Sequence, residues 1–274
     1  MVTWAYRVPR CTLETLSDSL TIAGLEPTGV SETLGEATAW FDTRPDAPMP
    51  LAGQWQPVDE ADWSQRWKEG LRPVTVGRVT VTPPWLAPDG PVLDPAGPIT
   101  LVIEPGLAFG TGHHETTIGC LRALQDLPLE GRHVIDIGTG TGVLALAARS
   151  LGAATVSAVD IDPVAIAVAQ DNLATHGLDG ITLALGSCAE AGGPGQVVIA
   201  NIITDLLLAI APELVALVTP GGVLVASGVA VERTAEAVDA FTAAGLRPCA
   251  RPGREWTLLV ARKRSKSRGE PPGP

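Results

Sequence analysis

The stretch VIDIGTGTGVLALAA, residues Val134 to Ala148, decides the fold. Its first part has the apolar pattern of a strand and its last part that of a helix, and Gly138, Gly140 and Gly142 lie at the junction. Glycines let a ligand approach the backbone, and the start of a helix presents free N–H groups. The junction therefore predicts a strand–turn–helix unit with a ligand at the turn.

Strand and helix patterns alternate on both sides of this junction, which predicts a mostly parallel sheet covered by helices on both faces. Residues 246–263 instead have the pattern of two strands joined by a Pro-Gly turn, so the last pairing is expected to be an antiparallel hairpin. The predicted strands are 99–105, 133–138, 155–161, 181–186, 196–201 and 221–228, and the predicted helices are 142–151, 163–176, 204–217 and 231–244.

The first part of the chain predicts a separate small α+β unit. Strand patterns at 3–8 and 37–42 flank an amphipathic helix at 11–24, with a further strand near 26–33. A Pro- and Gly-rich stretch then interrupts the pattern near 45–57. We place the N-terminal unit at 1–56, a linker helix and strands at 57–98, the large domain at 99–262 and a disordered basic tail at 263–274.

Composition excludes several classes of protein. The four cysteines form no C-x-x-C pair, so neither a zinc site nor a disulfide framework is expected, and a reducing cytoplasm fits best. Residues 1–261 carry a net charge of −15, which argues against a broad nucleic-acid surface. Because the sequence has neither a signal peptide nor a long apolar run, we expect no membrane segment.

Polar residues follow the predicted strands at their carboxyl ends, where open parallel sheets bind ligands. They are Asp160 in AVDID, the segment GSCAE at 186–190, and Asn201 in VVIAN. Asp160 follows Gly138 by 22 residues and is well placed to accept hydrogen bonds from both hydroxyls of a ribose. A nucleoside-containing cofactor is therefore expected beside the glycine turn.

Two cofactor classes fit the turn, and a purely structural alternative remains. GTGVLA, Gly140 to Ala145, matches the dinucleotide pattern G-x-G-x-x-A and would indicate an oxidoreductase. The alternate glycines, Asp136 before them and Asn201 at a later strand end favour S-adenosylmethionine. In the structural alternative, the glycines form only a tight turn and Asp160 caps the helix that starts at Pro163.

An irregular segment upstream, EPGLAFGTGHHETT at 104–117, carries the most specific signal. It ends at Thr116 and Thr117, both good N-cap residues. The segment resembles the signature D-P-G-x-A-F-G-T-G-T-H-P-T-T of the ribosomal protein L11 methyltransferase family. The resemblance continues in order through about residue 230, and the linker containing Trp63 and Trp67 is similar too.

The resemblance implies a class I methyltransferase fold, with a Rossmann-like, mostly parallel sheet of seven strands and a small ferredoxin-like domain that recognises the substrate. It implies an enzyme that methylates lysine or N-terminal amines of ribosomal protein L11. We expect it to act as a monomer in the cytoplasm without a metal, and no side chain in the sequence must act as a base. The alternatives are the dinucleotide-dependent oxidoreductase and a non-catalytic cofactor-binding module. The implied contacts of S-adenosylmethionine are Thr117, Gly138, Asp160 and Asn201, with Phe109 and Gly140 close by.

The sequence departs from the family pattern at five positions. Glu104 replaces Asp, His113 replaces Thr and Glu115 replaces Pro, while Thr139 and Thr141 replace small residues of the glycine turn. The adjacent His113 and His114 are not expected to bind a metal, because successive loop side chains rarely converge on one ion and no further ligands accompany them. His114 aligns with the family histidine and is expected to order the loop.

Overall fold

The computed structural model describes residues 2–25, 27, 29–33, 36–59, 71–87, 89–94, 96–106 and 108–265. They form two compact units, Met1–Leu71 and Arg72–Pro274. The predicted linker helix with Trp63 and Trp67, and the basic tail from residue 266 onward, lie outside the described residues. No helix in the described part of the chain is long and apolar enough to cross a membrane.

The first unit is a four-stranded antiparallel sheet with a helix packed on it. The strand order is β2-β3-β1-β4, as in ferredoxin-like folds, which agrees with the predicted α+β class. Leu16 and Leu20 of the helix pack against Tyr6, Val8 and Phe41 of the sheet. The elements are β1 Val2–Pro9, α1 Leu13–Ile22, β2 Gly29–Thr33, β3 Glu36–Phe41 and β4 Gln54–Asp59.

The Pro-rich stretch near 45–57 belongs to this small unit. Strand β4 follows it and pairs with β1, so the limit drawn at residue 56 falls inside a strand. Pro57 lies opposite Trp4 in β4, which is an edge strand, and an edge strand tolerates a residue without an N–H donor. A proline-rich composition alone therefore did not distinguish an interdomain linker from a connection within a sheet.

The second unit contains two sheets. The smaller has the order β5-β6-β8-β7, in which β6 and β8 are parallel, and comprises β5 Val74–Val76, β6 Val79–Thr82, β7 Val92–Leu93 and β8 Ile99–Val102. The larger has the order β11-β10-β9-β12-β13-β15-β14. Its strands are β9 His133–Ile137, β10 Thr155–Asp160, β11 Ile181–Leu185, β12 Gly195–Asn201, β13 Val218–Ala230, β14 Leu246–Pro252 and β15 Trp256–Lys263.

The large sheet confirms the predicted fold class, a seven-stranded, mostly parallel α/β sheet. The pairs from β11 through β13 are parallel, and β15 is antiparallel to both of its neighbours. The predicted terminal hairpin is therefore confirmed. The strand order reverses on the two sides of β9, and such a switch point is where open parallel sheets bind ligands.

Helices cover both faces of the large sheet. Leu121, Leu124 and Leu146 pack in the core of one face, and Leu207, Leu214 and Phe241 in the core of the other. The helices are α2 Glu115–Gln125, α3 Val143–Ser150, α4 Pro163–His176, α5 Thr204–Ala209, α6 Ala211–Leu217 and α7 Thr234–Ala243.

The single helix predicted at 204–217 is wrong, because the chain breaks there into α5 and α6. Ile210 leaves helical geometry, with ψ at 15°, between the two helices. Pro212 follows it and has no N–H to donate to the carbonyl of Leu208, and its ring would clash with that carbonyl in a continuous helix. The apolar pattern continues across the break, which is why periodicity alone predicted one helix.

Strand β8 is not part of the large sheet, although the sequence placed it first in the alternating series. Its partners are β6 and β7. Its carboxyl end is bonded to α4 instead, since Val102 N donates to His176 Nε2 (3.0 Å) and Glu104 N to Asn172 Oδ1 (3.2 Å). The local sequence predicts a strand but does not say which sheet accepts it.

Candidate functional site

A cavity of about 560 Å³ opens at the carboxyl ends of β9, β10 and β12, beside the glycine turn. This volume is typical of a small-molecule site, which is usually apolar with a few directed polar groups. Most of its wall is apolar, and Asp160 and Asn201 supply polar side chains. Five of the six residues proposed from the sequence border it: Phe109, Gly138, Gly140, Asp160 and Asn201.

The glycine turn is shaped by close contacts that leave no space for side chains. Gly138 and Gly140 have φ values of +71° and +55°, in the left-handed region that favours glycine. A Cβ atom on Gly138 would collide with Ile202 Cγ2, and one on Gly140 with the carbonyl oxygen of Phe109. The loop before α2 therefore lies directly against the turn.

The two threonines that replace small residues in the turn hold this arrangement together. Thr141 Oγ1 donates to the carbonyl of Gly110 (2.7 Å), and Thr141 N donates to the carbonyl of Phe109 (3.0 Å). Thr139 Oγ1 donates to Asp136 Oδ2 (2.7 Å). Both departures from the family pattern thus add hydrogen bonds within the site.

Asp160 faces the cavity with acceptor capacity to spare. Its Oδ2 accepts from Gly140 N (2.9 Å) and its Oδ1 from Asp162 N (3.0 Å). Since each carboxylate oxygen has two lone pairs, one on each oxygen is left for a ligand hydroxyl. The cap of α4 is Asp162, which accepts from Val164 N (2.8 Å), so the alternative in which Asp160 caps that helix is wrong.

Asn201 and Thr117 form a pair at the end of β12. Asn201 Nδ2 donates to Thr117 Oγ1 (3.4 Å), which leaves the side-chain carbonyl of Asn201 available as an acceptor. Thr117 is completely buried, whereas its neighbour Thr116 borders the cavity. Thr117 thus contributes to the site indirectly, through its hydrogen bond to Asn201.

His114 caps α2, a role the sequence assigned to Thr116 and Thr117. His114 Nδ1 accepts from Thr116 N (3.4 Å), and the helix begins at Glu115. An Nδ1 that accepts a hydrogen bond places the proton of the neutral ring on Nε2. The ring of His114 lies 5.2 Å from that of Phe109 and 5.7 Å from that of Trp256.

Trp256 is a cavity residue that sequence reasoning missed. It begins β15, far along the chain from the other site residues, and borders the cavity beside His114. An aromatic residue after a turn gives no local signal of a site. Only the antiparallel return of β15 next to β13 brings it to this edge of the sheet.

His113 and Glu115 contact different parts of the backbone. The ring nitrogens of His113 lie 3.1 Å from the carbonyl oxygen of Thr111 and 2.8 Å from that of Arg72. Glu115 accepts from Arg254 N (2.6 Å) and Glu255 N (3.1 Å), and these bonds lower its pKa. Within the described residues, no group of three or more His, Cys, Asp or Glu side chains is arranged to hold a metal.

Asp136 lies completely buried behind the turn. Burial raises the pKa of its carboxyl group from 3.8 to about 7, and the nearby charge of Asp160 acts in the same direction. Its Oδ1 has no hydrogen-bond partner among the described residues. A strongly perturbed carboxyl group next to a ligand cavity is typical of a functional site.

The hydrogen bonds of the turn favour one of the two cofactor classes. A dinucleotide places its pyrophosphate on free N–H groups at the start of the helix. Here the N–H groups of Gly140, Thr141 and Gly142 already donate to Asp160, Phe109 and Thr139. The residues instead fit S-adenosylmethionine, which carries ribose hydroxyls for Asp160 and needs no phosphate site.

Comparison with known proteins points to one family. The family model described as Ribosomal protein L11 methyltransferase (PrmA) matches residues 18–264. A ribosomal protein L11 methyltransferase of Deinococcus radiodurans is 42% identical over 250 residues, which cover 86% of this chain and 90% of that protein. One of Thermus thermophilus is 37% identical over 263 residues, covering 94% and 98%.

A solved structure shows the same architecture. The crystal structure of a ribosomal protein L11 methylase from Lactobacillus delbrueckii subsp. bulgaricus superposes with a TM-score of 0.63 at 27% sequence identity. The superposition covers 70% of this chain and all of the other. Sequence and fold thus agree on the same relatives.

Proposed function

Because this chain belongs to the ribosomal protein L11 methyltransferase family, we propose that it methylates lysine or N-terminal amines of ribosomal protein L11. The family resemblance expected from the sequence is thereby confirmed, and the enzyme is a protein methyltransferase that uses S-adenosylmethionine. When bound, this cofactor supplies an electrophilic methyl group. The observation that carries the cofactor assignment is Asp160, half-buried at the cavity beside a turn whose N–H groups are already used.

We propose Gly138, Gly140, Asp160 and Asn201 as the cofactor-binding residues, with Phe109 close by and Thr117 supporting Asn201. Asp160 has free acceptor sites on both carboxylate oxygens, as ribose hydroxyls require. Gly138 and Gly140 keep the cavity clear, since a side chain at either position would collide with its surroundings. The orientation of Asn201 follows from its bond to Thr117.

The chain's part in the reaction is to bind, orient and desolvate an amine. A lysine has a pKa near 10.4, so deprotonation at pH 7 costs about 4–5 kcal/mol. The apolar wall around Ile202 and Leu206 disfavours the charged amine and so lowers its pKa. The side-chain carbonyl of Asn201 can accept an N–H of the neutral amine and so orient its lone pair.

We propose that the small N-terminal unit grips the protein substrate. It carries a cleft of about 510 Å³ bordered by Arg44, Met49, Leu51 and Trp55, with the guanidinium of Arg44 5.3 Å from the ring centre of Trp55. The residues of the cofactor cavity all belong to the other unit. In this proposal the N-terminal unit captures the substrate and the other unit binds the cofactor.

Removing the N-terminal unit tests both the function and this division. The full chain is expected to transfer labelled methyl groups from S-adenosylmethionine to purified ribosomal protein L11. A fragment of residues 72–274 is expected to bind the cofactor within about threefold of the full chain, yet to methylate L11 more than about tenfold more slowly. Full-speed methylation by the fragment would refute the recognition role, and no methylation by the full chain would refute the proposed substrate.

Asp160→Ala is expected to weaken S-adenosylmethionine binding by about 10- to 100-fold, because the charge-assisted bonds to the ribose are lost. Isothermal titration calorimetry measures the change. Asp171→Ala is the control, since it removes an exposed carboxylate of α4 from the same unit and is expected to leave the affinity unchanged. Equal affinities of the two variants would contradict the assignment of Asp160.

We also propose that the enzyme acts as a monomer in the cytoplasm without binding nucleic acid directly. The acidic charge of residues 1–261 disfavours a phosphate backbone. The same charge favours a substrate that presents lysine, and this attraction is expected to weaken with salt.

A further inference from the structure

Three aromatic rings line one side of the cavity, and only one of them, that of Phe109, has been assigned a place near the cofactor. They belong to Phe109, His114 and Trp256, here called the aromatic rim. Phe109 and His114 meet at 68° with 5.2 Å between ring centres, and His114 and Trp256 at 58° with 5.7 Å. Phe109 is 55% exposed, so the rim is open to a ligand at the cavity mouth.

The rim is held in place by the backbone on both sides. Gly140 packs against the carbonyl of Phe109, and His114 is bound to the first turn of α2. Glu115 accepts two N–H groups from the turn that precedes Trp256. Glu115 is therefore a positioning residue, which explains what this departure from the family pattern does.

Methyl transfer places a positive charge on the substrate nitrogen within this cavity. When a neutral amine attacks the methyl carbon, a bond forms from nitrogen to carbon, the carbon–sulfur bond breaks, and the sulfur keeps the bonding pair. The positive charge thus moves from sulfur to nitrogen. A fully methylated nitrogen has no N–H left for Asn201, but aromatic faces attract it without hydrogen bonds.

We propose that the aromatic rim is a binding site for alkylated ammonium groups, with Trp256 as its main contributor. Tryptophan is the strongest cation–π partner among the side chains. The proposal rests on the proposed function, because the cation it holds is the methylated amine. Trp256 thereby helps to retain a partly methylated side chain beside the cofactor.

The test compares two probes of the same shape and different charge. Choline carries a trimethylammonium group, and 3,3-dimethylbutan-1-ol has carbon in place of its nitrogen. Both are titrated into the full chain saturated with S-adenosylhomocysteine, which keeps the probes out of the cofactor space. Choline is expected to bind about 3- to 30-fold more tightly than the neutral probe.

Variants then assign the preference to the rim. Trp256→Leu is expected to reduce choline binding about 3- to 30-fold and Trp256→Phe less, with binding of the neutral probe almost unchanged in both. Phe109→Leu tests the rim independently, because its exposed position keeps it from disturbing the core. Trp85→Leu removes a tryptophan that does not border the cavity and serves as the control.

Two outcomes would overturn the proposal: equal binding of choline and the neutral probe, or a choline preference that survives both Trp256→Leu and Phe109→Leu. Neither outcome depends on ribosomal protein L11. If choline binding follows the rim while L11 is not methylated, the proposed substrate fails and the rim stands. If L11 is methylated normally and the rim variants bind choline as tightly as the wild type does, only this inference fails.

Discussion

Gly140→Ala is expected to lower the rate of methyl transfer by about a hundredfold and to weaken S-adenosylmethionine binding, since a displacement of about 1 Å in an active site can slow a reaction by that factor. A Cβ at this position would collide with the carbonyl oxygen of Phe109. To relieve the collision, the loop must move away and lose the bond from Thr141 N to Phe109. The N–H of Gly140 would also be shifted from Asp160, which it holds in place.

Gly177→Ala is the control that separates the effect of this collision on binding from the effect of backbone strain. Gly177 ends α4 with φ +58°, close to the +55° of Gly140, and none of the described residues places an atom within 4 Å of its Cβ position. Both substitutions carry the cost of about 1 kcal/mol for a left-handed alanine. Titration calorimetry is expected to show an unchanged affinity for Gly177→Ala. Equal losses in the two variants would mean that strain, and not loop contact, controls binding.

Asp136→Asn is expected to stabilise the protein by up to about 4 kcal/mol at pH 8 and to have little effect near pH 4. The folded protein raises the pKa of Asp136 from 3.8 to about 7, chiefly through burial. Protonated Asp136 therefore stabilises the fold fully below pH 3.8, and this contribution is lost as the pH rises through about 7. At about 1.4 kcal/mol per pKa unit, the shift amounts to about 4 kcal/mol.

Urea unfolding at several pH values measures this difference. Asparagine has nearly the same shape as the protonated acid and can still accept the hydrogen bond from Thr139 Oγ1. The free energy of unfolding of Asp136→Asn, relative to that of the wild type, is expected to grow between pH 4 and 7 and then level off. Asp171→Asn, at an exposed position of α4, is expected to follow the wild type throughout. Parallel curves for Asp136→Asn and the wild type would contradict the raised pKa.

If urea unfolding shows this stability cost, Asp136 has a role other than folding. A buried carboxyl group with one oxygen that accepts no hydrogen bond destabilises a protein core. Residues that destabilise a protein at neutral pH are concentrated at functional sites. Asp136 is two residues from Gly138, and its location behind the turn agrees with this pattern.

The sequence by itself determined the fold class of the large domain and the polar and glycine positions of the cavity wall. Alternating strand and helix patterns predict a parallel sheet, and the carboxyl ends of its strands meet at one edge. Gly138, Gly140, Asp160 and Asn201 were therefore predicted to lie together, and they border one cavity. This inference succeeds because each residue lies at a strand end that local periodicity identifies.

Only the tertiary structure decided which residues meet from separate parts of the chain. The contact between Gly140 and the carbonyl of Phe109, and the location of Trp256 beside His114, depend on how a loop and a hairpin pack against the sheet. The same holds for β8, which lies in another sheet. Local patterns show at which intervals apolar residues recur within a segment. The contacts named here depend instead on shape complementarity between distant segments, which no local pattern contains.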